Sequence, residues 1–466
     1  MTKIEEKESE LFKYVQKNCE KDNSLLSLFA YLNLHGIGCQ VNTELAFKIW
    51  NSLEVVNHNS EVQYCLGKCF YKGVGTNKDY SQAFSWYKKS ADQEYIYAQY
   101  ELGMMFFNGI GVESNYQKAY KWFAKSAEQG YSSAQLFLGL LYYEGIGVEC
   151  DFKKAYEMYR LAYENGEIMA AHELGMCYLY GCGVDRDYKI ALEFFKINAE
   201  VGRAASQYFI GLIFYNGYGV NVDYVEAVKW LKLSAKQGNV SAQDLLGKCY
   251  HFGYGVEIDE EEAIKWFLKA AKAGYSVSQF SIGICYYEGI GVDQNYEQAA
   301  KWYELSAKQG NKDAQCNLAL CYESGKGVEQ NFEQAIYWYQ KAADSGHILA
   351  QYNLAECYYN GEGVEQSYEQ AVYWYHKSAD AGYANAQCNL GFCFEKGLGV
   401  EKNYISAIYW YQKASEQECS VAQFNLAMLY LNGFGVEKNV DIAKKYFMKA
   451  SLNGNKEADK KLKELL

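Results

Sequence analysis

The sequence predicts an all-α solenoid built from 36-residue helix-turn-helix repeats, and three observations support this prediction. A Gly-x-Gly pair recurs every 36 residues from Gly73 to Gly433, which gives eleven units without an insertion. The 466 residues include no proline, so glycine and Asn/Asp must end and begin the elements. Apolar residues recur with a helical period, and little strand-like alternation appears between the glycines. We therefore expect one continuous array of repeats.

Each unit predicts two helices joined by a glycine turn, as the copy at 98–133 illustrates. Ala98, Leu102 and Phe106 share one face of the first helix. Gly109 supplies the left-handed residue that ends this helix, and Asn115 can accept hydrogen bonds from the free N–H groups of the second. The same capping position holds Asn, Asp or Ser in every unit: Asn42, Asp79, Asn115, Asp151, Asp187, Asp223, Asp259, Asn295, Asn331, Ser367, Asn403 and Asn439.

Residues at equivalent positions of the units, here called columns, predict the packing. One column is alanine in every unit, from Ala46 to Ala443, and suits a close approach of helices. Another holds eight of the nine tryptophans. Aromatic rows of this kind could form a stacking surface, but a helix pair cannot bury its apolar face without its neighbours. We therefore expect these aromatic residues to form the core between helices.

The fifteen cysteines are expected to be free thiols. Seven share the column four residues before the glycine pair, where other units hold Met105, Leu141, Ile213 and Leu429. Equivalent residues of neighbouring repeats should lie roughly 10 Å apart, which is too far for a disulfide. No Cys-x-x-Cys pair exists and the six histidines are scattered, so we expect neither a metal site nor a cofactor.

Charge and hydropathy restrict the partners and the compartment. The net charge of −12 and pI near 5.2 disfavour nucleic acid as a partner. No apolar stretch approaches the length of a membrane span, and the charged first residues lack the apolar core of a secretory signal. Together with the odd number of cysteines, these features lead us to expect a cytoplasmic protein without membrane contact.

The motifs of the array resemble Sel-1-like repeats, which are relatives of tetratricopeptide repeats. The matching elements are Ala-x-x-x-Leu-Gly-x-x-Tyr, Gly-x-Gly-Val and Ala-x-x-Trp-[Tyr/Phe] at 36-residue spacing. The resemblance implies a right-handed α/α superhelix and a non-catalytic adaptor or scaffold, which holds protein or peptide partners on the concave face of the first helices. We expect a capping helix at 1–24, a degenerate repeat at 25–61, eleven repeats at 62–457 and a capping half-repeat at 458–466. Polar ends limit open-ended association, so we expect a monomer.

Two other functions were weighed against the scaffold. Ser85 and Lys88 have the Ser-x-x-Lys spacing of β-lactamase-type nucleophiles, and Hcp-type cysteine-rich proteins with similar repeats are described as penicillin-binding. Those proteins carry a regular cysteine pair in each repeat, which this chain lacks. A lumenal quality-control adaptor, the second alternative, would need a signal and an anchor that the sequence does not show.

The candidate ligand site lies on the first helices. Aromatic residues recur nine residues before the glycine pair, at Tyr64, Tyr100, Tyr208, Phe280, Tyr352 and Phe424. The next column holds asparagine in four late repeats, at Asn317, Asn353, Asn389 and Asn425. By resemblance to tetratricopeptide repeats, this asparagine column would hydrogen-bond the backbone of a bound peptide. The alternatives are packing along the inner wall for the rings, and recent duplication with bonds inside the helix pair for the amides.

Overall fold

Every regular element of the described chain is helical, as the sequence predicts. The computed structural model describes residues 3–52 and 59–465, and it contains twenty-six α-helices and one 3-10 turn at Cys19–Lys21. Helix α1 spans Lys3–Asn18, and helix α26 spans Lys456–Leu465. The first helices of successive repeats are α2 (Asn23–His35), α4 (Ser60–Lys72), α6 (Ile96–Asn108), α8 (Ser132–Glu144), α10 (Ala170–Tyr180), α12 (Ala204–Asn216), α14 (Val240–Phe252), α16 (Ser276–Glu288), α18 (Lys312–Ser324), α20 (Ile348–Asn360), α22 (Ala384–Lys396) and α24 (Ser420–Asn432).

The second helices alternate with the first and have the same length in every regular repeat. They are α3 (Thr43–Ser52), α5 (Tyr80–Asp92), α7 (Tyr116–Glu128), α9 (Phe152–Glu164), α11 (Tyr188–Glu200), α13 (Tyr224–Lys236), α15 (Glu260–Lys272), α17 (Tyr296–Lys308), α19 (Phe332–Asp344), α21 (Tyr368–Asp380), α23 (Tyr404–Glu416) and α25 (Val440–Leu452). The described chain forms two compact units, Met1–Asp223 and Tyr224–Leu466. Within each unit, most helix packing joins consecutive elements, and α1 also contacts α2 across the 3-10 turn. The expected boundaries at 24/25, 61/62 and 457/458 stay predictions, and 53–58 lie outside the described residues.

The helix ends form as the sequence predicts. The first glycine of each pair, as in Gly109 at φ +67°, is the left-handed residue that ends the first helix and donates its N–H to the last turn. Eleven of the predicted capping residues accept hydrogen bonds from the start of the second helix; for example, Asn115 Oδ1 accepts from Lys118 N at 2.9 Å.

The second glycine of each pair has a different role, because it contacts the preceding repeat. A Cβ added at Gly327 would overlap the backbone carbonyl of Tyr296, the first residue of α17. Gly111 and Gly183 meet the equivalent carbonyls of Tyr80 and Phe152. This glycine therefore permits the loop of one repeat to rest on the backbone of the repeat before it.

The core lies between the helices of each repeat and its neighbour. All twelve members of the alanine column are fully buried. Four members of the tryptophan column, Trp266, Trp338, Trp374 and Trp410, are buried as predicted, and the other four are half-buried. The position one residue later is buried in every regular repeat: Tyr87, Phe123, Tyr159, Phe195, Leu231, Phe267, Tyr303, Tyr339, Tyr375, Tyr411 and Phe447. In seven of these repeats the residue is aromatic and its ring lies against a helical glycine six residues before the glycine pair, as Phe123 does against Gly103.

Candidate functional site

The ten predicted ligand residues share an intermediate burial. Tyr64, Tyr100, Tyr208, Phe280, Tyr352, Phe424, Asn317, Asn353, Asn389 and Asn425 are all partly exposed on the first helices. Residues at such a depth can contact both a helix neighbour and a ligand. The contacts that the protein itself makes at these positions therefore define what a ligand would meet.

The aromatic members pack on rings of the second helices. Tyr352 lies 6.0 Å from Tyr375 and 5.1 Å from Tyr383, measured between ring centroids. Tyr64 contacts Tyr87 and Tyr95 at 5.7 and 5.3 Å in the same way. The rings of Tyr100, Phe280 and Phe424 likewise contact Phe123, Tyr303 and Phe447. These aromatic residues thus contribute to helix packing and leave part of each ring accessible.

The asparagine column bonds to buried tyrosines of the preceding repeat. Asn353 Nδ2 donates to Tyr339 OH at 3.3 Å, and Asn389 Nδ2 donates to Tyr375 OH at 3.4 Å. Asn317 and Asn425 lie close enough to Tyr303 and Tyr411 for their amides to lower the pKa of these phenols. The bonds of Asn353 and Asn389 join these amides to the preceding repeat. The alternative considered for the asparagine column was a bond within a single helix pair, which differs from this arrangement.

Carboxylates complete three of these hydrogen-bonded clusters. Tyr339 OH donates to Glu323 Oε2 at 2.5 Å, and Tyr411 OH donates to Glu395 Oε2 at 2.9 Å. Glu356 accepts from both Tyr375 OH, at 2.5 Å, and Asn389 Nδ2, at 2.7 Å. Burial, followed by the bond to Glu356, raises the pKa of Tyr375 far above its ordinary value, so this phenol stays protonated and donates.

Glu356 could not be identified as part of this cluster from the sequence. It stands five residues before its glycine pair, where the neighbouring repeats hold Leu320 and Phe392. The regular repeats hold only two other charged residues in this column, Lys68 and Lys248, so its polar members give no periodic signal. The structure therefore adds a carboxylate to the predicted group of Tyr352 and Asn389.

A cavity of about 490 Å³ lies near the start of the array. It is lined by the rings of Tyr31, Trp50 and Tyr64, with Lys68 and Lys72 beside them. Tyr64 is the one predicted ligand residue among its walls. The cavity offers aromatic surface and two cationic groups, and it lies in the unit Met1–Asp223.

The side chain of Lys88, which has the Ser-x-x-Lys spacing from Ser85, contacts other residues. Ser85 is exposed on α5, and the Lys88 ammonium pairs with Asp92 while lying 5.4 Å from the centroid of Trp122. Lys88 is thus engaged by Asp92 on its own helix and by the ring of Trp122. Within residues 3–52 and 59–465, no group of three or more His, Cys, Asp or Glu side chains is arranged to hold a metal ion.

Twelve segments of the chain match the family model described as Sel1 repeat: 24–52, 60–95, 96–131, 132–167, 168–200, 204–239, 240–275, 276–311, 312–347, 348–383, 384–419 and 420–455. The chain belongs to the Sel1 repeat family. The resemblance drawn from the motifs is thereby confirmed. No curated protein matches the chain. In the described part of the chain, no helix is long and apolar enough to span a bilayer.

Two solved structures of Sel1 repeat proteins are similar to the chain along most of its length. The first is c5321, a protective antigen present in uropathogenic Escherichia coli strains that displays an SLR fold. It is 35% identical, with a TM-score of 0.70 and 90% coverage of each chain. The second, a Sel1 repeat protein from Oxalobacter formigenes, is 27% identical over 70% of this chain and 92% of its own, with a TM-score of 0.53.

The Sel1 repeats also contain a buried glutamine column that the sequence analysis did not single out. Gln279 Nε2 donates to the Ala271 carbonyl at 3.1 Å, near the end of α15 in the preceding repeat. Its Oε1 accepts from Gln309, the residue that caps α17, at 2.7 Å. This glutamine, which follows alanine in most repeats and Ser278 at Gln279, could have been found by its regular spacing. The glutamine side chain makes hydrogen bonds with polar groups at the helix ends. We therefore attribute a structural role to this column.

All fifteen cysteines lie within the described residues and are unpaired. The seven-member cysteine column is buried, as predicted from its apolar counterparts. Burial raises the pKa of these thiols, for example to about 12 at Cys357 and about 11 at Cys321. Such thiols are protonated and shielded at neutral pH, so they act as small apolar side chains.

Proposed function

We propose that this Sel1 repeat protein is a non-catalytic scaffold that binds an extended peptide segment of a protein partner along its first helices. The asparagine column carries the proposal. Its four amides recur once per repeat, are partly exposed, and are each held by a tyrosine of the neighbouring repeat. A polar group that is fixed before binding loses little side-chain entropy when a ligand arrives.

The chemistry of the column suits a peptide main chain. The bonds that Asn353 and Asn389 make within the protein use Nδ2, so Oδ1 is the atom that would accept a peptide N–H. Partly exposed rings such as Tyr352 and Phe424 would supply contact area beside the amides. An extended peptide offers N–H groups regardless of its side chains, which fits a row of similar acceptors.

A selection from a phage-displayed library of random dodecapeptides tests this function. Binders of the intact chain are synthesised, and their Kd is measured for the wild type, Asn353→Ala and Asn389→Ala. We expect each substitution to weaken binding by about 1–3 kcal/mol, because a hydrogen bond to the peptide is lost.

Asn385→Ala is the matched control, because Asn385 lies on α22 one turn before Asn389 and is exposed. It should leave the affinity unchanged. If all three variants bound the selected peptides as tightly as the wild type, the asparagine column would have no part in binding.

Three further proposals accompany this function. We propose that the chain is monomeric, resides in the cytoplasm and has no enzymatic activity. The unpaired state of all fifteen cysteines supports a reducing compartment, and the ion pair of Lys88 argues against a Ser85 nucleophile. A nitrocefin assay of the purified chain should show no turnover; hydrolysis that disappears in Ser85→Ala would instead support the Hcp-type alternative.

A further inference from the structure

Two cysteines meet at a position where other repeats place contacting aromatic rings. Cys388 lies on α22, and Cys419 is the residue that precedes α24. The same two positions, 31 residues apart in the sequence, hold Tyr64 and Tyr95, Tyr100 and Tyr131, and Tyr352 and Tyr383, whose ring centroids are 5.3, 5.2 and 5.1 Å apart. The fold therefore brings the residues at these positions together, and here Cys419 packs against the apolar cluster that contains Cys388, where each thiol shifts the pKa of the other.

The two thiols have different surroundings. Cys388 is buried, and it shares an apolar cluster with Ile408, Leu426 and Leu429. Cys419 is partly exposed at the start of a thirteen-residue helix. The hydrogen bond from Cys388 lowers the pKa of Cys419, and the free N–H groups of Ala422 and Val421 lower it further. Cys419 is thus the more accessible thiol and the one whose pKa is lowered, and Cys388 is the buried thiol behind it.

We propose that Cys388 and Cys419 form a reversible disulfide when the protein meets a hydroperoxide. The Cys419 thiolate attacks one peroxide oxygen, the O–O bond breaks, and a sulfenic acid forms on Cys419 as hydroxide leaves and takes up a proton. The Cys388 sulfur then attacks the Cys419 sulfur, its proton and the sulfenic hydroxyl leave as water, and the S–S bond forms. Two thiols lose two electrons in total, and one hydrogen peroxide becomes two waters.

No other pair of cysteines in the chain has this arrangement. The seven buried members of the cysteine column have raised pKa values, and burial is the cause in each case. Cys150 is exposed, but its thiol bonds to the Tyr143 carbonyl at 3.3 Å. Among the described cysteines, Cys388 and Cys419 are the pair in which the interaction between the two thiols is the leading cause of both pKa shifts.

A disulfide at this place would tie two successive first helices together. Cys388 directly precedes Asn389, and Cys419 precedes the helix that carries Phe424 and Asn425. The bond would link α22 directly to the start of α24, and it would not involve the intervening helix α23. Local unfolding of α22 and α24 should therefore be less frequent in the oxidised form than in the reduced form.

Peptide mapping of the full-length protein tests the proposal without reference to any binding partner. The reduced chain is treated with a few equivalents of hydrogen peroxide, alkylated under denaturing conditions and digested with trypsin. We expect a cross-linked species joining peptides 378–396 and 414–438, which dithiothreitol abolishes. Cross-linking should be at least about tenfold faster in the folded than in the urea-unfolded chain, because folding holds the two sulfurs together.

Three variants assign the bond. Peptide 378–396 contains Cys393 as well as Cys388, so Cys393→Ala should keep the cross-link, whereas Cys388→Ala and Cys419→Ser should abolish it. Serine is a favourable residue before a helix, so Cys419→Ser is expected to fold. The exposed Cys150, trapped as a sulfenic acid with dimedone, reports that peroxide has reacted. Absence of the cross-link at a dose that labels Cys150, or its persistence in Cys388→Ala, would overturn the proposal.

Discussion

At the scale of single residues, the two glycines of a Gly-x-Gly pair are required for different reasons. A Cβ at Gly325 would meet only Gln330, whose Cβ would lie at a slightly tight 3.3 Å, so the residue is needed mainly for its φ of +69°. Gly327 combines a φ of +76° with the close approach of the Tyr296 carbonyl. Gly310, at the end of a second helix, has a positive φ and open space around it. Substitutions at these three sites can therefore distinguish the cost of backbone strain from the cost of steric overlap.

We expect Gly327→Ala to destabilise the protein more than Gly310→Ala does. A left-handed alanine costs about 1–2 kcal/mol at either site. Overlap with a neighbouring backbone adds about 1–3 kcal/mol at Gly327, because neither segment can move without disturbing its helix. Urea unfolding of both variants measures the difference; equal losses would mean that the loops of successive repeats are not in close contact.

Native alkylation should distinguish the exposed from the buried thiols. At pH 8, iodoacetamide should label Cys150 rapidly, because it is exposed. Cys357 should react at least about a hundredfold more slowly, since burial raises its pKa to about 12 and the thiolate is the reactive form. Mass spectrometry of timed aliquots gives both rates. Unfolding in urea should make the two rates similar, which serves as the control.

At the scale of the helix pair, the glutamine column shows how one repeat satisfies its own polar groups. Where the residue that caps the second helix is Gln or Asn, it donates to the buried glutamine, as Gln309 does to Gln279. Where that residue is Ala381, the Oε1 of Gln351 stays buried without a partner. A buried acceptor without a donor costs free energy in the folded state.

We therefore expect Ala381→Gln to stabilise the protein by about 1 kcal/mol, because the new amide can donate to Gln351 Oε1. Ala381→Glu is the matched control, since glutamate has a similar size but offers no donor at pH 7. Thermal and urea unfolding measure both variants. A glutamate variant as stable as the glutamine variant would show that the gain comes from chain packing instead of the hydrogen bond.

The helix pair was the part of the structure most fully predictable from the sequence. Gly109, Asn115 and Ala119 each act through local geometry, and local geometry repeats with the period of the chain. The ligand residues were only partly predictable. The columns place Asn389 on the first helix, but its bonds to Glu356 and Tyr375 depend on two other helices. Cys388 and Cys419 escape a comparison of columns because they occupy different ones.

At the scale of the whole molecule, stability should be distributed along the chain. Within each compact unit, the substantial contacts join consecutive helices, so no residue is supported by distant repeats. Tyr339 is fully buried on α19, whereas Tyr337, two residues earlier on the same helix, is exposed. The two residues therefore offer a matched pair for measuring how far a local loss of packing spreads.

We expect Tyr339→Ala to cost about 3–5 kcal/mol locally, because a buried aromatic ring is removed. Hydrogen exchange should show lost protection in α18 to α21 and little change in α4 to α10. Tyr337→Ala should leave protection close to that of the wild type. A uniform loss of hydrogen-exchange protection from residue 62 to residue 457 would contradict the prediction that each repeat is stabilised only by its neighbours.

The contact between the second glycine and the preceding repeat also restricts which insertions and deletions the gene can tolerate. Gain or loss of a whole 36-residue segment leaves every remaining second glycine opposite the first residue of a second helix, whereas a one-residue change in the loop does not. Residues 335–342 and 407–414 are identical, AIYWYQKA, so the coding sequence offers matching tracts for unequal crossing-over. Descendants of this gene are therefore expected to differ in the number of their repeats before they differ in the length of any one.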